Sequence, residues 1–399
     1  MSSIPVAPRA APTARGARGI IMPARRTARW PMAARWVTRL AWAYFALTLV
    51  AWWALVAKSE EWLPATLLAY GPRWTIGLPL LLLVPLTVLA WPRTLRTLAP
   101  LALSALVIVW PIMGGRVSLA TIGKPIRPLP AEGALRVMTF NTFGGRAVAA
   151  RLDETFALQP DVAAFQECGE TLFSALQRVK GLYAVKYHSL CTVSRWPITR
   201  VDSMPRLEND RGSALAARHH IRTPSGTLLF VNVHFETARY GLESLMRKDG
   251  GLVPDNAGDI ARMIKSVLRP DAAAARQLSF NTVTRTRESA RAAQWATEGV
   301  GDTPVIVAGD FNLPVESSIY RRYWSNFRNA FETAGTGFGY TKSEGQLLRI
   351  RIDHVLGNAT APRATGAWLG PELGSDHRPV LVDFARGDRS GSVEPRTRR

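Results

Sequence analysis

The stretch Gly374-Ser375-Asp376-His377-Arg378-Pro379-Val380 runs straight into the apolar segment Leu381-Val382-Asp383-Phe384. An adjacent Asp–His pair at the mouth of a strand sets a carboxylate and an imidazole beside one reacting group, which equips it to activate water near neutral pH. Earlier β-type runs end in the same way. Leu135–Phe140 leads to Asn141, Pro160–Gln166 to Glu167, Leu228–Val233 to His234, Pro304–Gly309 to Asp310-Phe311-Asn312, and Leu348–Ile352 to Asp353-His354. β-rich apolar runs bounded by turn residues read as buried strands. Polar groups at strand ends can converge on one edge of a sheet sandwich while the strands themselves stay dry.

The motifs are TFN at 139–141, QE at 166–167, NVH at 232–234, GDFN at 309–312, RID at 351–353 and SDHRP at 375–379. Through them residues 134–384 resemble the endonuclease/exonuclease/phosphatase superfamily, the DNase I-like metal-dependent phosphoesterases. Ser194-Arg195-Trp196-Pro197-Ile198 is similar to the family's SR-x-P-[IL] strand. The resemblance implies an α+β fold, a four-layer α/β/β/α sandwich, and metal-dependent hydrolysis of phosphoester bonds.

Such hydrolysis needs neutralised phosphoryl oxygens, a positioned water and a stabilised leaving oxygen. Glu167 is the candidate principal ligand for Mg²⁺, with Mn²⁺ a possible substitute, because a hard divalent cation prefers carboxylate. Asn141 can coordinate the ion or donate to phosphate without adding charge. The resemblance implies that Asp310 orients or deprotonates the water and that Asn312 donates to the phosphate. It likewise implies that Asp353 holds the tautomer of His377, the general base or charge-stabilising imidazolium. Asp376 is then a second carboxylate on the metal side, His234 contacts the scissile phosphate, and Arg378 is a candidate phosphate contact. His188, His219, His220 and His354 match no catalytic position and read as structural. The family's tyrosine and arginine near the phosphate have no assignable counterpart. The set lacks the spacing of a zinc cage or HExxH, and no Walker loop or G-x-G-x-x-G opens a helix, so nucleotide energy coupling is unsupported.

Apolar composition is uneven. Leu40–Ala57, Trp74–Trp91 and Leu98–Gly114 are free of charge and each 17–18 residues long, near the short limit for crossing hydrocarbon. Residues 1–39 carry eight arginines and no acid, which predicts a cytoplasmic N-terminus. About three transmembrane helices therefore precede the sandwich and deliver it to the extracytoplasmic side of the cell inner or plasma membrane. The domains expected are a basic disordered segment 1–39, a multi-pass anchor 40–115, a linker 116–133 that lifts the domain off the bilayer, the catalytic domain 134–384 and a polar tail 385–399. Net charge is +20, but the catalytic domain holds only +5 of it, so the basic balance reflects topology or anionic lipid more than nucleic acid.

The partners expected are the lipid bilayer and a phosphate-containing substrate; no protein partner is inferred. An anchor favours a membrane-held substrate, a lipid phosphate or pyrophosphate, and the alternative is an extracytoplasmic nuclease acting on DNA or RNA. Every site candidate lies beyond residue 115, so a released domain is expected to keep its activity on a small soluble ester. Residues 151–158, 170–180 and 285–297 read as helices, 238–300 as mostly helical in pattern, and Gly241–Phe280 within it as a surface insertion, with a lid or lipid-facing element the alternative. Cys168 and Cys191 either form a disulfide or stay two buried thiols, and the sequence leaves both open.

Overall fold

The structure, a computed structural model, describes residues 32–89, 94–125, 134–205, 214–246, 265, 272–344 and 347–385. The expectations for residues 1–31 of the basic segment, the tail 386–399 and the stretches 247–264 and 266–271 lie outside the described residues, while residues 32–39, expected to be disordered, are helical.

Two six-stranded sheets form the centre. The first runs β13 (Ala364–Leu369), β14 (Val380–Phe384), β1 (Leu135–Asn141), β2 (Val162–Gln166), β4 (Leu190–Ser194) and β3 (Tyr183–Tyr187). The second runs β5 (Ile198–Pro205), β6 (Ala214–Thr223), β7 (Gly226–His234), β8 (Val305–Asp310), β12 (Asp353–Gly357) and β9 (Arg328–Asn329).

Alternation along each strand sorts side chains into layers. Val137, Val162 and Ala164 of the first sheet meet Phe230, Ile306, Ala308 and Val355 of the second in one inter-sheet core. Their neighbours Met138, Phe140, Ala163 and Phe165 point the other way, onto Val148, Leu172 and Leu176 of the short helices on the first sheet. Leu229, Val231, Val305 and Val307 pack on Ala292 and Ala296 of the helix Ala272–Thr297 and on Trp324. Helix, sheet, sheet, helix is the layering expected of residues 134–384.

A polar seam also crosses the inter-sheet core. Thr139 Oγ1 donates to Gln166 Oε1 (3.2 Å), Gln166 Nε2 to Asn232 Oδ1 (2.7 Å), and Asn232 Nδ2 to the Cys191 carbonyl (2.9 Å). The Gln of QE and the Asn of NVH thus tie the two sheets together, and all are buried with partners satisfied. Cys168 and Cys191 are joined as a disulfide with Cα atoms 5.8 Å apart. The pairing of Phe165 with Cys191 brings the end of β2 beside the start of β4.

Two local readings are corrected. Leu348–Ile352 is not one strand ending at Asp353. Leu348–Ile350 forms β11, which pairs with β10 (Lys342–Glu344) in a separate hairpin, and Asp353 opens β12 against β8. Ser194–Ile198 is not a strand but the crossover from β4 in one sheet to β5 in the other, with Ser194 Oγ accepting from the Trp196 amide (3.0 Å).

The expectation of about three membrane-crossing helices is also corrected. Among the described residues one helix is long and apolar enough to cross a membrane, Ala34–Lys58 within α1 (Met32–Lys58); counting a bent pair as one span makes two. That pair joins α2 (Leu63–Tyr70) to the turn Arg73–Gly77 and α3 (Leu78–Leu89) at 105°. The third apolar run forms α4 (Thr94–Val107), which loosens into a π turn over Ile108–Ile112. Pro85, Pro100 and Pro111 lie inside these elements, and each removes a backbone donor from the ladder. Nor is the expected linker free through its described part. Arg116 pairs with Gly337 through both backbone hydrogen bonds, and Thr121 Oγ1 donates to the Ala334 carbonyl (3.0 Å).

His219 fills a purely structural place between β6 and β7, where Nδ1 meets the Phe230 carbonyl at 3.2 Å. Burial pushes its pKa down to about 4. The unfolded chain takes up this proton near pH 6.5, so the imidazole's contribution is complete above that pH and is lost as pH falls toward 4. The span corresponds to about 3 kcal/mol. Urea midpoints of wild type and His219→Asn are expected to diverge least at pH 5 and most at pH 7; a constant difference between them contradicts this.

Candidate active site

The sheet register brings the strand-end residues together. His234 is paired with Asp310 across parallel β7 and β8, and Asp310 with Asp353 across antiparallel β8 and β12. Asn141 pairs with Gln166, the residue before Glu167, at the same end of the first sheet. Gly309 makes this register possible. A Cβ there would lie 2.0 Å from the Val233 carbonyl oxygen, so a residue with a side chain would force β7 and β8 apart just below Asp310.

Asn141 joins the sheets at the site. Its Nδ2 donates to Glu167 Oε1 (3.0 Å) and to Asp310 Oδ2 (2.9 Å). Glu167 has φ +50° and Asn312 φ +49°, left-handed conformations uncommon in non-glycine residues and held only where the surroundings fix them. The Asn312 amide N–H donates to Asp310 Oδ1 (2.8 Å), while its side-chain Nδ2 donates to the Phe235 carbonyl (3.0 Å). His234 Nε2 lies 3.9 Å from Glu167 Oε1 and 3.7 Å from Asp310 Oδ2.

His377 Nδ1 lies 2.8 Å from Asp353 Oδ2, and its Nε2 lies 3.8 Å from Asp310 Oδ2. Burial opposes the imidazolium, but the carboxylates of Asp353 and Asp310 outweigh it and raise the His377 pKa above its ordinary value. Asp310 is pushed up to about 7, first by burial and then by the nearby Asp353 charge. Asp376 is half-buried; burial alone would raise its carboxyl, yet His377 and Lys342 hold it below the usual carboxylate range.

Arg378 does not join the site. Its Nε and Nη2 both donate to the Gly370 carbonyl, at 2.9 and 2.6 Å, on the loop between β13 and β14. The cation beside His377 is instead Lys342, whose Nζ is 2.6 Å from Asp376 Oδ2 and 3.1 Å from His377 Nε2. Lys342 is placed by a β-bridge to His377 and by the Arg378 amide donating to the Thr341 carbonyl. Nothing in its sequence neighbourhood marks it, because a lysine in a polar hairpin carries no periodic signal. His354 is structural, with Nε2 2.8 Å from the Leu313 carbonyl, as are His219 and His220, the latter 3.3 Å from Asp202.

Asp310, Asp353 and His377 bring ligand atoms within 4.8 Å of one another and could hold a metal ion. With Glu167 and Asp376 the donors are mostly hard carboxylate oxygens, which fits a divalent cation of the Mg²⁺ or Mn²⁺ type better than zinc. Asp353 Oδ1 is buried without a hydrogen-bond partner, a polar atom with capacity to spare.

Among solved structures the chain is similar to D. rerio TDP2 complexed with single strand DNA product, at 16% identity over 63% of this chain and 99% of that one, TM-score 0.44. It is similar also to the 3' phosphatase NExo from Neisseria bound to product DNA hairpin, at 15% identity over 63% and 100%, TM-score 0.45. Sphingomyelinase C from Streptomyces griseocarneus matches at 16% identity over 63% and 99%, TM-score 0.41. No curated protein matches the sequence. The model of the Endonuclease/Exonuclease/phosphatase family matches residues 138–377, a span that begins in β1 and ends on His377. The chain belongs to this family, whose members are hydrolases acting on phosphoester bonds.

Proposed function

We propose that the protein is a membrane-anchored, Mg²⁺-dependent phosphoesterase that hydrolyses phosphate esters or pyrophosphates of a membrane-associated lipid on the extracytoplasmic side. One observation carries this reading. The apolar N-terminal layer packs on the active-site end of the sandwich, where Ile350 and Ile352 share its core with Tyr44, Leu55, Leu101 and Ile112. The outward side of the layer leaves Leu47, Leu81 and Leu89 66–81% exposed, a surface suited to lipid. The arginines before α1 favour a cytoplasmic start, and the Cys168–Cys191 disulfide suits an oxidising compartment. A single crossing by α1 is enough to set Lys58 and the domain beyond it outside.

In this reading Glu167 and Asn141 would hold the ion, with Asp376 a further carboxylate able to serve it. When bound, the ion supplies positive charge to the phosphoryl oxygens. Asp310, with a pKa near neutrality, accepts a proton from the attacking water, and Asn141 and the Asn312 amide aim its two oxygens. Asp353 fixes the His377 ring so that Nε2 faces the phosphate, beside His234. Lys342 takes the cationic place expected of Arg378. Asn312 assists through its backbone while its side-chain amide stays on Phe235.

Two measurements test location and metal. Alkaline phosphatase fused to the C-terminus of the full chain is expected to be active, and a reporter that matures only in the cytoplasm to be dark; the reverse pattern overturns the extracytoplasmic site. EDTA is expected to lower turnover at least about 10²-fold, with Mg²⁺ restoring it. Turnover indifferent to EDTA would remove the metal from the account.

A further inference from the structure

The loop between α1 and α2 carries a carboxylate that the proposed chemistry does not use. The Glu60 side chain is 3% exposed and far from the reacting groups in sequence, yet both its oxygens are engaged. Oε1 accepts from Tyr70 Oη (2.8 Å) and from Ser317 Oγ (2.7 Å), and Oε2 accepts from Arg285 Nη1 (3.1 Å). Arg285, itself 2% exposed, lies in the helix Ala272–Thr297 with its guanidinium 4.9 Å over the Tyr70 ring. Its Nη2 donates to the Asn312 carbonyl (3.2 Å) and to Tyr70 Oη. A second tie runs alongside: Ser59 Oγ accepts from the Ser318 amide (2.8 Å), and Arg73 pairs with buried Glu316 (2.8 Å).

We propose that Glu60 is a positioning residue for the loop Asp310–Asn312, acting through Arg285 and Ser317, so that the N-terminal layer is part of the catalytic scaffold as well as an anchor. The chain of contacts is short. Glu60 fixes the Arg285 guanidinium, and Arg285 holds the carbonyl of Asn312, a residue kept at φ +49°. The amide of the same residue grips Asp310 Oδ1 and thereby aims Oδ2 at Asn141. A strained, left-handed residue keeps its conformation only while its surroundings fix it, and here part of that fixing comes from outside the sandwich. An Arg–carboxylate pair removed from water gives the contact direction as well as strength. The proposal rests on the phosphoesterase reading and runs against the expectation that the domain freed of residues 1–115 keeps full activity on a soluble ester.

The test uses the full chain in detergent with Mg²⁺ and bis(p-nitrophenyl) phosphate. Glu60→Ala is expected to lower kcat about 100-fold with KM within about twofold, because a misplacement of about 1 Å in the loop costs that much. Glu60→Gln keeps acceptors for Ser317 and Tyr70 but loses the charge, and is expected to lower kcat about tenfold. Amide hydrogen exchange within 310–318 is expected to speed up in both variants, while exchange within 162–167 stays at the wild-type rate. Should the alanine variant fail to fold, the glutamine variant decides. A folded Glu60 variant with kcat within twofold of wild type, or with exchange raised evenly across all strands, overturns the proposal. If wild type itself turns over no ester, the phosphoesterase reading fails, and exchange at 310–318 still decides whether Glu60 positions the loop.

Discussion

Replacing Asp310 with asparagine or alanine, or Glu167 with alanine, is expected to lower kcat on a verified phosphoester by more than about 10²-fold while the domain remains folded. The two carboxylates meet through Asn141, and each stands at the end of a strand whose own packing does not need it. In the proposed mechanism their loss removes the proton acceptor or the metal's principal ligand, effects on the order of 3 kcal/mol or more. Stability should move the opposite way for Asp310. Burial and the Asp353 charge raise its pKa to about 7, so at pH 8 the metal-free fold carries a carboxylate it would rather protonate. This group's cost is greatest above pH 7 and disappears as pH falls toward 4. Asp310→Asn should therefore melt at or above the wild-type temperature at pH 8 in EDTA. An active Asp310→Asn enzyme would sink the site assignment.

Asp353→Asn is expected to lower kcat by about 10²- to 10⁴-fold with little change in KM. The carboxylate 2.8 Å from His377 Nδ1 fixes the ring and favours the imidazolium, and burial would otherwise depress that charge. In serine proteases the equivalent carboxylate-to-amide change costs about 10⁴ through the wrong tautomer. Without Asp353 the His377 pKa should fall, so the limb of the pH–rate profile that needs the imidazolium should move to lower pH. The imidazole resonances of wild type and variant, titrated by NMR, report the same shift directly. An unmoved profile would mean that His377 works without its partner.

The end of the sandwich that carries the candidate site was legible because each strand advertises itself locally: an apolar run closes, and a polar residue follows at once. The runs ending at Asn141, Glu167, His234 and Asp310 needed no knowledge of tertiary structure, and Gly309 in GDFN is explained by the Val233 carbonyl that it alone can tolerate. Asp353 was placed at the wrong end of its strand, closing Leu348–Ile352 where it in fact opens β12. The apolar count through Leu348–Ile352 does not reveal where the backbone leaves one hairpin for another sheet. Arg378 looked available because it adjoins His377, whereas side chains next to each other on extended chain point apart. Lys342 and Glu60 were invisible for a different reason. Charged residues in short loops usually face water, and only the fold places Glu60 against Arg285, 225 residues away. The apolar segments were visible as composition, but composition does not show the 105° bend between α2 and the turn Arg73–Gly77 or the π turn over Ile108–Ile112.

The central claim is that the enzyme acts on phosphate held at a membrane. It is tested by full-length protein reconstituted in phospholipid vesicles doped with a polyprenyl pyrophosphate or a phosphatidyl phosphate, alongside supercoiled plasmid, in Mg²⁺ and in EDTA. Phosphate should be released from the lipid in Mg²⁺, fall at least about 10²-fold in EDTA, and leave the plasmid intact. Nicked or degraded plasmid with no lipid turnover would contradict the account and make the protein a nuclease.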